Sequence, residues 1–447
     1  MKIVIVGVGN VGRELVKQLS RENHDIVIVD TNVKLVEDVV NAYDVMGITG
    51  NGVSLDTMNE TGIHNADLLV ACTQYDEMNM LCCLVAKKLG AKETIARVKN
   101  REYSELFKSR ELGITMLVNP DYESALEISR LLRYPSAVKI EPFAEGKVDI
   151  IEYKITQDSP LYNIALKDLS SVIKNKILIC AVERDGEVYI PRGDFILNDG
   201  DIIFVTASKL GMHQFFRDMG KAQTARKVMI IGGSRIASYL AQELAKVDVS
   251  VKIIEKSEEK CAFLTETLDK AKVVNGDGTD RDLLIEEGLL DCDALIVLTN
   301  QDEQNIIISM YASAMKVKVI TKIDNGSYYS LLENSGIDSV VATKATTANE
   351  IIKLARGLAN SMDSAVNKLY RIVDGKAEVL EFKVTQAFKG IAIPLSVLKL
   401  KKNTIIAGII RKGKLITPSG SDALEVGDLV LIVTLNSNYD ELNDILE

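Results

Sequence analysis

Three glycines near the N-terminus have the spacing of a loop that can cradle a diphosphate. Gly7, Gly9 and Gly12 follow the apolar run of residues 2–6, and Asp30 ends the next apolar run. In such a loop the first glycine allows a tight turn, the second lets the backbone approach a pyrophosphate, and the third lets a helix pack closely on a strand. The helix N-terminus adds N–H donors and the positive end of its dipole. The alternative interpretation is a tight turn that holds no ligand.

Asp30 bears on which nucleotide such a loop would take. A strand-end acid can accept hydrogen bonds from both hydroxyls of an adenosine ribose and repels a 2′-phosphate. The pattern therefore favours NAD over NADP.

A second, altered copy of this loop occurs at residues 227–237. Gly232 keeps the first glycine, but Ser234 stands at the second position and Ala237 at the third. A side chain at the second position crowds a pyrophosphate, whereas alanine at the third is tolerated. Arg235 could meet phosphates with its side chain, and Glu255 keeps the strand-end acid. This second site is either a working nucleotide site or a vestigial one, and we expect the first to be the stronger NAD site.

Further polar residues repeat in both halves at the predicted carboxyl ends of strands, where open α/β sheets bind their ligands. They are Gly50, Asn51, Thr73 and Arg97 in the first half, and Gly276, Asp277, Thr299 and Lys322 in the second. Thr73 could bond a ribose or phosphate oxygen, and Arg97 or Arg13 could balance phosphate charge. Each residue taken singly is more typical of a turn or a surface charge. Their joint occurrence in two copies favours a ligand site.

The elements that must hold these residues follow from the hydrophobic pattern. Short apolar runs alternate with helix-period segments as far as Arg133, including a predicted helix at Ser104–Leu112. Such alternation implies right-handed crossovers and a parallel sheet covered by helices on both faces. The chain from Lys227 onward repeats these items, and the segment Asp76-Glu77-x-Asn79 recurs as Asp302-Glu303-x-Asn305.

The pattern changes after Pro135, where period-two alternation predicts a small α+β module. We expect a helix over Pro160–Leu169 and a hairpin turn at Asp185-Gly186, and a related module recurs from Glu378 to Val433. The predicted fold class is α/β, with two tandem Rossmann-like doubly wound parallel-sheet domains that are each followed by a small α+β domain. The predicted domain limits are 1–137, 138–220, 221–366 and 367–447.

Composition narrows the class of protein. The 447 residues carry a formal net charge of −10 and contain no dense Lys/Arg cluster, which argues against binding to nucleic acid. The six cysteines include no C-x-x-C pair and suit buried thiols in a reducing cytosol. No apolar run approaches the ~18–20 residues that span a bilayer. We expect a cytoplasmic protein without its own transmembrane segment, which would reach a membrane only through a partner.

The residues of a dehydrogenase are missing from the pattern. The three histidines, His24, His64 and His213, lie away from the predicted strand carboxyl ends, and no Tyr-x-x-x-Lys stands on a plausible helix. The sequence also contains no G-x-x-x-x-G-K loop and no metal-ligand cluster. A nucleotide pocket without catalytic residues predicts a sensor and not an enzyme. The alternatives are a duplicated NAD-dependent oxidoreductase, with the small modules as substrate domains, and a scaffold that binds no ligand.

Taken together, these motifs resemble a known family. The glycine loop, Asp30, the Gly50 turn, the segment from Thr73 to Asn79, and Arg97 precede a small module with Gly200-Asp201. This order resembles the RCK domains, which regulate potassium conductance. Two such pairs in one chain resemble the TrkA family, the cytosolic subunits of Trk potassium uptake systems.

The resemblance implies a ligand, a set of site residues and partners. The implied ligands are NAD(H) and, in several members, ATP or ADP. The implied first site is Gly7, Gly9, Asn10, Val11, Asp30, Thr73 and Arg97, and the implied second site is Gly232, Ser234, Arg235, Ile236, Glu255, Thr299 and Lys322. The implied partner is a membrane-embedded potassium-translocating subunit of the Trk type, gated by a homo-oligomer (a dimer or a tetrameric ring) at the inner face of the cell membrane.

Overall fold

A computed structural model describes most of the chain. It covers residues 1–447 except 23, 101, 104–112, 134–138, 145–147, 221–224, 329–331, 333–336, 338, 364–365, 374–375, 437–438 and 440. The predicted helix at Ser104–Leu112 lies outside the described residues.

The first module is a parallel sheet of six strands in the order β3-β2-β1-β4-β5-β6. Its strands are β1 (Lys2–Val6), β2 (Asp25–Asp30), β3 (Met46–Thr49), β4 (Leu68–Ala71), β5 (Glu93–Arg97) and β6 (Met116–Val118). Its helices are α1 (Asn10–Leu19), α2 (Val33–Ala42), α3 (Leu55–Glu60), α4 (Asp76–Lys88) and α5 (Pro120–Arg133). The strand order reverses between β1 and β4, and a doubly wound sheet binds ligands at such a switch point.

The central strands of this sheet are buried on both faces. Every residue of β4 is buried, and β1 is buried from Ile3 to Val6. This explains why these strands appear in the sequence as continuous apolar runs without alternation. Helix α1 buries Val11, Leu15 and Leu19 on the face that packs against the sheet.

The first small module is an antiparallel sheet of five strands in the order β10-β9-β11-β8-β7. Its elements are β7 (Lys139–Phe143), β8 (Val148–Lys154), β9 (Leu178–Arg184), β10 (Glu187–Tyr189), β11 (Ile202–Ala207) and α6 (Lys209–Asp218). The predicted hairpin is confirmed, since β9 pairs antiparallel with β10 across Asp185 (φ 51°) and Gly186 (φ 79°). Two positive φ values are what a two-residue type I′ turn requires.

The predicted helix over Pro160–Leu169 is wrong. Asn163 has a φ of 60°, and its N–H donates to the carbonyl of Leu197 at 2.8 Å. The N–H of Leu166 likewise donates to the carbonyl of Phe195 at 3.0 Å, and a 3₁₀ helix covers only Leu166–Ser171. The backbone groups of this segment pair with a distant loop, so they are not available for an α-helix.

The second Rossmann-like module repeats the first strand order as β14-β13-β12-β15-β16-β17. Its strands are β12 (Lys227–Ile231), β13 (Ser250–Glu255), β14 (Ala271–Asn275), β15 (Ala294–Val297), β16 (Lys318–Lys322) and β17 (Ser339–Val341). Its helices are α7 (Arg235–Ala245), α8 (Glu258–Thr267), α9 (Arg281–Glu286), α10 (Asp302–Ala314) and α11 (Thr343–Asp363). All strand pairs in both of these sheets are parallel.

The second small module repeats the antiparallel sheet in the order β18-β19-β22-β20-β21. Its strands are β18 (Val366–Ile372), β19 (Ala377–Lys383), β20 (Thr404–Arg411), β21 (Lys414–Ile416) and β22 (Leu429–Thr434). The two small modules share one core, in which Phe143 and Phe204 cluster with Val379 and Leu431. The predicted class of two Rossmann-like sheets with two small α+β modules is confirmed.

The chain divides into two compact units that do not follow chain order. One unit is Met1–Ser129 with Arg226–Ala355 and holds both parallel sheets; the other is Arg130–Ala225 with Arg356–Glu447 and holds both antiparallel sheets. The predicted domain limits stay predictions. Among the described helices, none is both long enough and apolar enough to cross a bilayer.

Candidate functional site

The first glycine loop is shaped by two close backbone approaches. Gly7 has a φ of +93°, and a Cβ there would lie 2.8 Å from the backbone nitrogen of Thr73. A Cβ on Gly12 would lie 2.0 Å from the carbonyl oxygen of Gly7. A Cβ on Gly9, in contrast, would meet no atom within 4 Å. The first and third glycines are therefore needed for packing, while the second leaves the loop open to a ligand.

The N-terminus of α1 is available to an anion. Gly9 is its N-cap residue and provides no side-chain hydrogen bond, and the first turn carries no acidic residue. The N–H groups of Asn10, Val11 and Gly12 have no partner within the helix, because the first turn of any α-helix leaves its donors unpaired. Donors with the positive end of the helix dipole favour phosphate.

Asp30 is held in a fixed position beside this loop. Its Oδ2 accepts the N–H of Val8 at 2.9 Å, and its Oδ1 accepts the N–H of Asn32 at 2.9 Å. Each oxygen keeps a further acceptor position, so the carboxylate can still receive ribose hydroxyls. These backbone hydrogen bonds fix the orientation of the Asp30 carboxylate beside the glycine loop.

The second loop reproduces this arrangement with different side chains. Glu255 accepts the N–H of Gly233 at 2.5 Å and the N–H of Ser257 at 2.8 Å, as Asp30 does in the first half. A Cβ on Gly233 would lie 3.0 Å from the Glu255 carboxylate and 2.7 Å from Leu264. Gly233 therefore leaves room for the longer side chain of Glu255. In the first half, where the acid is the shorter Asp30, Val8 occupies the equivalent position.

Helix α7 differs from α1 because its N-terminus is capped. The Ser234 hydroxyl accepts the N–H of Ala237 at 3.3 Å, so one donor of the first turn is already engaged. The Arg235 guanidinium pairs with the Asp121 carboxylate of the first module at 2.6 Å. A phosphate at this helix would compete with Ser234 for the donor and with Asp121 for the cation.

A buried asparagine ties neighbouring strand ends together in each half. Asn79 is fully buried; its Oδ1 accepts the N–H and the hydroxyl of Thr73 at 2.8 and 2.7 Å. Its amide donates to the carbonyls of Thr73 at 3.1 Å and Arg97 at 2.8 Å. Asn305 makes the same four bonds with Thr299 and Lys322.

The sequence did not reveal that these two asparagines hold the strand ends that carry candidate site residues. The signal was the repeated Asp-Glu-x-Asn segment. Its aspartates also act on the backbone, since Asp76 accepts the N–H groups of Lys99 and Asn100 at 2.9 and 2.8 Å. The Thr73 hydroxyl donates its hydrogen to Asn79 and therefore meets a ligand only as an acceptor.

A cavity of about 1560 Å³ opens at the carboxyl edge of the second sheet and reaches the first module. It exceeds the ~300–1,000 Å³ of ordinary ligand pockets, so a dinucleotide fits its size. The predicted site residues that line it are Asn10, Val11, Arg97, Gly232, Ser234, Arg235, Ile236, Glu255, Asp277, Thr299 and Lys322. The remaining ones, Gly7, Gly9, Gly12, Asp30, Gly50, Asn51, Thr73 and Gly276, do not line it.

The first module brings two cations, Arg97 and Lys99, to the wall of this cavity, among the carboxylates of Asp76, Glu77, Glu102 and Asp121. Burial, and then the charges of Arg97 and Arg235, lower the pKa of the Lys99 ammonium. The buried Nε of Arg97 has no hydrogen-bond partner among the described residues. Cations that repel one another, with an unused buried donor, fit an anionic ligand.

The two histidines whose side chains the structure describes lie away from the cavity. Neither His24 nor His64 lines it; His24 lies near Glu22, and His64 is in a short 3₁₀ helix. No group of three or more His, Cys, Asp or Glu side chains in the described part of the chain is placed to hold a metal ion.

Comparison with known proteins identifies the family of the chain. A family model described as the TrkA-N domain matches residues 3–120 and 228–343, which is more than half of the sequence. The chain belongs to the TrkA family. A second family model, the TrkA-C domain, matches residues 150–220 and 392–447. The family membership inferred from the sequence is confirmed.

Curated members of the TrkA family match along the full length. The Trk system potassium uptake protein TrkA homolog of Archaeoglobus fulgidus is 33% identical over 100% of this chain and 99% of its own length. The Trk system potassium uptake protein TrkA of Vibrio alginolyticus is 31% identical over 98% of this chain and 97% of its own. A solved structure titled "GsuK channel bound to NAD" covers 97% of this chain and 76% of that chain, at a TM-score of 0.63 and 18% identity, which supports the fold alone.

Proposed function

We propose that this TrkA-family chain is a nucleotide-sensing regulatory subunit of potassium uptake. It binds NAD(H), and ATP or ADP as further ligands, in its Rossmann-like modules and gates a membrane-embedded potassium-translocating subunit of the Trk type. The observation that carries the proposal is the pair of glycine loops, each opening a helix beside a strand-end acid. Its full-length relatives are potassium uptake proteins of the Trk system.

The first ligand site is proposed to centre on the open loop at Gly9. The diphosphate would lie against the uncapped N–H groups of Asn10, Val11 and Gly12, and the ribose against Asp30. Gly7 shapes the turn. Gly50, Asn51, Thr73 and Arg97 complete the set from neighbouring strand ends.

The second ligand site is proposed to lie in the large cavity. Gly232, Ser234 and Ile236 would contact the diphosphate, Arg235 would meet it as a cation, and Glu255 would hold the ribose. Gly276, Asp277, Thr299 and Lys322 complete the set from neighbouring strand ends. Arg97 and Lys99 of the first module face the same cavity, so the ligand charge is balanced by both modules.

The proposed gating mechanism uses the fact that both Rossmann-like modules belong to one compact unit. Because one compact unit holds both parallel sheets, a ligand that binds one arrangement of these modules more tightly shifts the equilibrium toward it. We propose that a homo-oligomer, as a dimer or tetrameric ring on the cytoplasmic face of the membrane, passes this shift to the translocating subunit. The protein acts as a regulator and not as an enzyme.

The proposal is tested by titrating NADH, NAD, ATP and ADP into the full chain by calorimetry. Gly9→Leu is expected to abolish binding to the first site, since its bulk fills the space of the diphosphate. The fold should persist, because the backbone φ of −66° at this position suits any L-residue. Unchanged affinities in Gly9→Leu and in Asp30→Asn, with unchanged thermal unfolding, would contradict the site assignment.

The rival oxidoreductase is tested with the same protein. NADH is incubated with a panel of carbonyl compounds while its absorbance is followed. Turnover that Gly9→Leu abolishes would favour the enzyme, whereas binding without turnover agrees with the regulator.

A further inference from the structure

Two lysines that line the cavity have no basic residue at the equivalent positions of the first half. Lys256 follows the strand-end acid Glu255 directly, and Lys260 lies in the first turn of α8. Both lysines are exposed, and both line the cavity. They therefore stand at the end of the site where the strand-end acid would hold the adenosine ribose.

Helix caps establish which positions correspond in the two halves. In each half the residue two positions after the acid caps the next helix: Asn32 accepts the N–H of Leu35, and Ser257 accepts the N–H of Lys260. Lys256 thus corresponds to Thr31, and Lys260 to Leu35. The first half has no cation at either position, although Lys34 in the first turn of α2 stands where the second half has Glu259.

The same correspondence shows that the second site is more open beside α8. In the first half, Arg13 on α1 pairs with Asp38 on α2 at 3.3 Å. Arg13 lies six residues after Gly7, and Ser238 lies six residues after Gly232. Asp38 and Phe263 each lie eight residues after the strand-end acid of their half. Ser238 and Phe263 both line the cavity. An ion pair between two helices is thus replaced by a small hydroxyl and an exposed phenyl ring, which leaves space for a larger ribose substituent.

Two of the acids near the lysines are already engaged, and Glu258 and Glu259 in the first turn of α8 are exposed and do not line the cavity. Glu255 is 8% exposed, and backbone N–H groups bond its two carboxylate oxygens as they do those of Asp30, so the lysines and not this bonding distinguish the two halves. Asp277 pairs with Lys256 at 2.8 Å and also accepts the N–H and hydroxyl of Thr279. Since the Lys256 side chain is 78% exposed, this ion pair is weak, and a phosphate dianion can replace Asp277 as its partner.

We propose that the second Rossmann-like module accepts adenine dinucleotides that carry a 2′-phosphate, whereas the first module rejects them. Lys256 and Lys260 bind that phosphate, in the role that a nearby basic residue plays in 2′-phosphate recognition. The proposal rests on the proposed function, because it requires that the second module binds an adenine dinucleotide. It assigns NADPH and NADP as ligands of one half of the chain only.

The test titrates NADH and NADPH into two full-length variants. Gly9→Leu leaves only the second site, and Ser234→Leu leaves only the first. We expect the ratio of the NADPH Kd to the NADH Kd to be at least about tenfold lower in Gly9→Leu than in Ser234→Leu, because charge-assisted hydrogen bonds of this kind are each worth about a factor of ten. Adenosine 2′,5′-bisphosphate and adenosine 5′-monophosphate, which differ only in the 2′-phosphate, repeat the comparison.

Lysine variants in the Gly9→Leu background identify the residues. Lys256→Ala with Lys260→Ala is expected to raise the NADPH-to-NADH ratio about tenfold or more. Lys270→Ala is the matched control, because this exposed lysine of the same module also pairs with an aspartate, Asp248, and does not line the cavity. Its ratio should equal that of the background.

Two outcomes would overturn the proposal, and they are distinguishable from each other. If the second site binds NADH but rejects NADPH as strongly as the first does, or if the lysine variants leave the ratio unchanged, the 2′-phosphate assignment is wrong and the regulatory function stands. If neither site binds NADH, NADPH, ATP or ADP, the proposed function fails together with this inference.

Discussion

Replacing Asn79 by alanine removes the side chain that ties the carboxyl ends of β4 and β5 together. Four hydrogen bonds are lost, to the N–H, hydroxyl and carbonyl of Thr73 and to the carbonyl of Arg97. At roughly 1 kcal/mol net for each bond, the side chain contributes about 4 kcal/mol. Water admitted to the vacated space would restore part of this, so we expect a loss of about 2–4 kcal/mol.

The assay is thermal unfolding with a nucleotide titration on the same samples. A loss of this size lowers the melting temperature by roughly 5–15 °C in a unit of a few hundred residues. Nucleotide affinity should fall as well, because Asn79 positions the backbone of Arg97, whose guanidinium lines the cavity. Asn305→Ala removes the equivalent four bonds from the second half and should have a similar effect on stability.

Leu81→Ala is the matched control on the same helix. Leu81 lies on the outer face of α4 and is 46% exposed, so its truncation should change stability by no more than about 0.5 kcal/mol. If Asn79→Ala melts within about 1 °C of the unchanged protein, the four bonds do not hold the strand ends, and the reasoning is refuted.

Three further predictions concern packing and charge. Gly12→Ala should destabilise the first module by about 1–3 kcal/mol in denaturant unfolding, because its Cβ would overlap a carbonyl oxygen at 2.0 Å; a neutral effect would show that α1 can shift freely. Arg184→Ala should cost about 3–5 kcal/mol, because it leaves the fully buried carboxylate of Asp201 without its bidentate partner; Arg184→Lys should recover only part, as urea unfolding would reveal. The pKa of Asp277 is lowered to about 2, chiefly by its hydrogen bond with Lys256. Because the pair is exposed, its stabilising contribution is small; it is present above the ordinary pKa of 3.8 and disappears as pH falls through about 2. An NMR titration of the Asp277 carboxyl that gives an ordinary pKa would contradict the ion pair.

The sheet elements were predictable because their signals are local. The apolar runs that became β1 and β4 are buried on both faces, which gives a continuous pattern that needs no knowledge of the partner strands. The hairpin at Asp185-Gly186 was equally local, because the turn itself demands positive φ values. The error at Pro160–Leu169 arose where the backbone pairs with residues 193–197, a contact that no local pattern reveals.

Parts of the candidate site could not be predicted from the sequence, because they also depend on contacts between distant residues. The sequence shows that Asn79 is repeated in the second half, but its role depends on β4 and β5 being neighbours in the sheet. The pairing of Arg235 with Asp121 joins two modules that are far apart in the chain. Glycine spacing and strand-end acids can be recognised in the sequence, whereas hydrogen bonds between strand ends and ion pairs between modules depend on the tertiary fold.

The two glycine loops differ in kind and not only in degree. The loop at Gly9 offers an uncapped helix N-terminus, which favours strong contacts with a diphosphate. The loop at Ser234 has one donor engaged, yet it lies in the large cavity beside extra cations. An uncapped helix N-terminus at one loop, and a partly engaged one among mixed charges at the other, would select different anions. Because the same compact unit holds both loops, a ligand bound at one loop can change the affinity of the other.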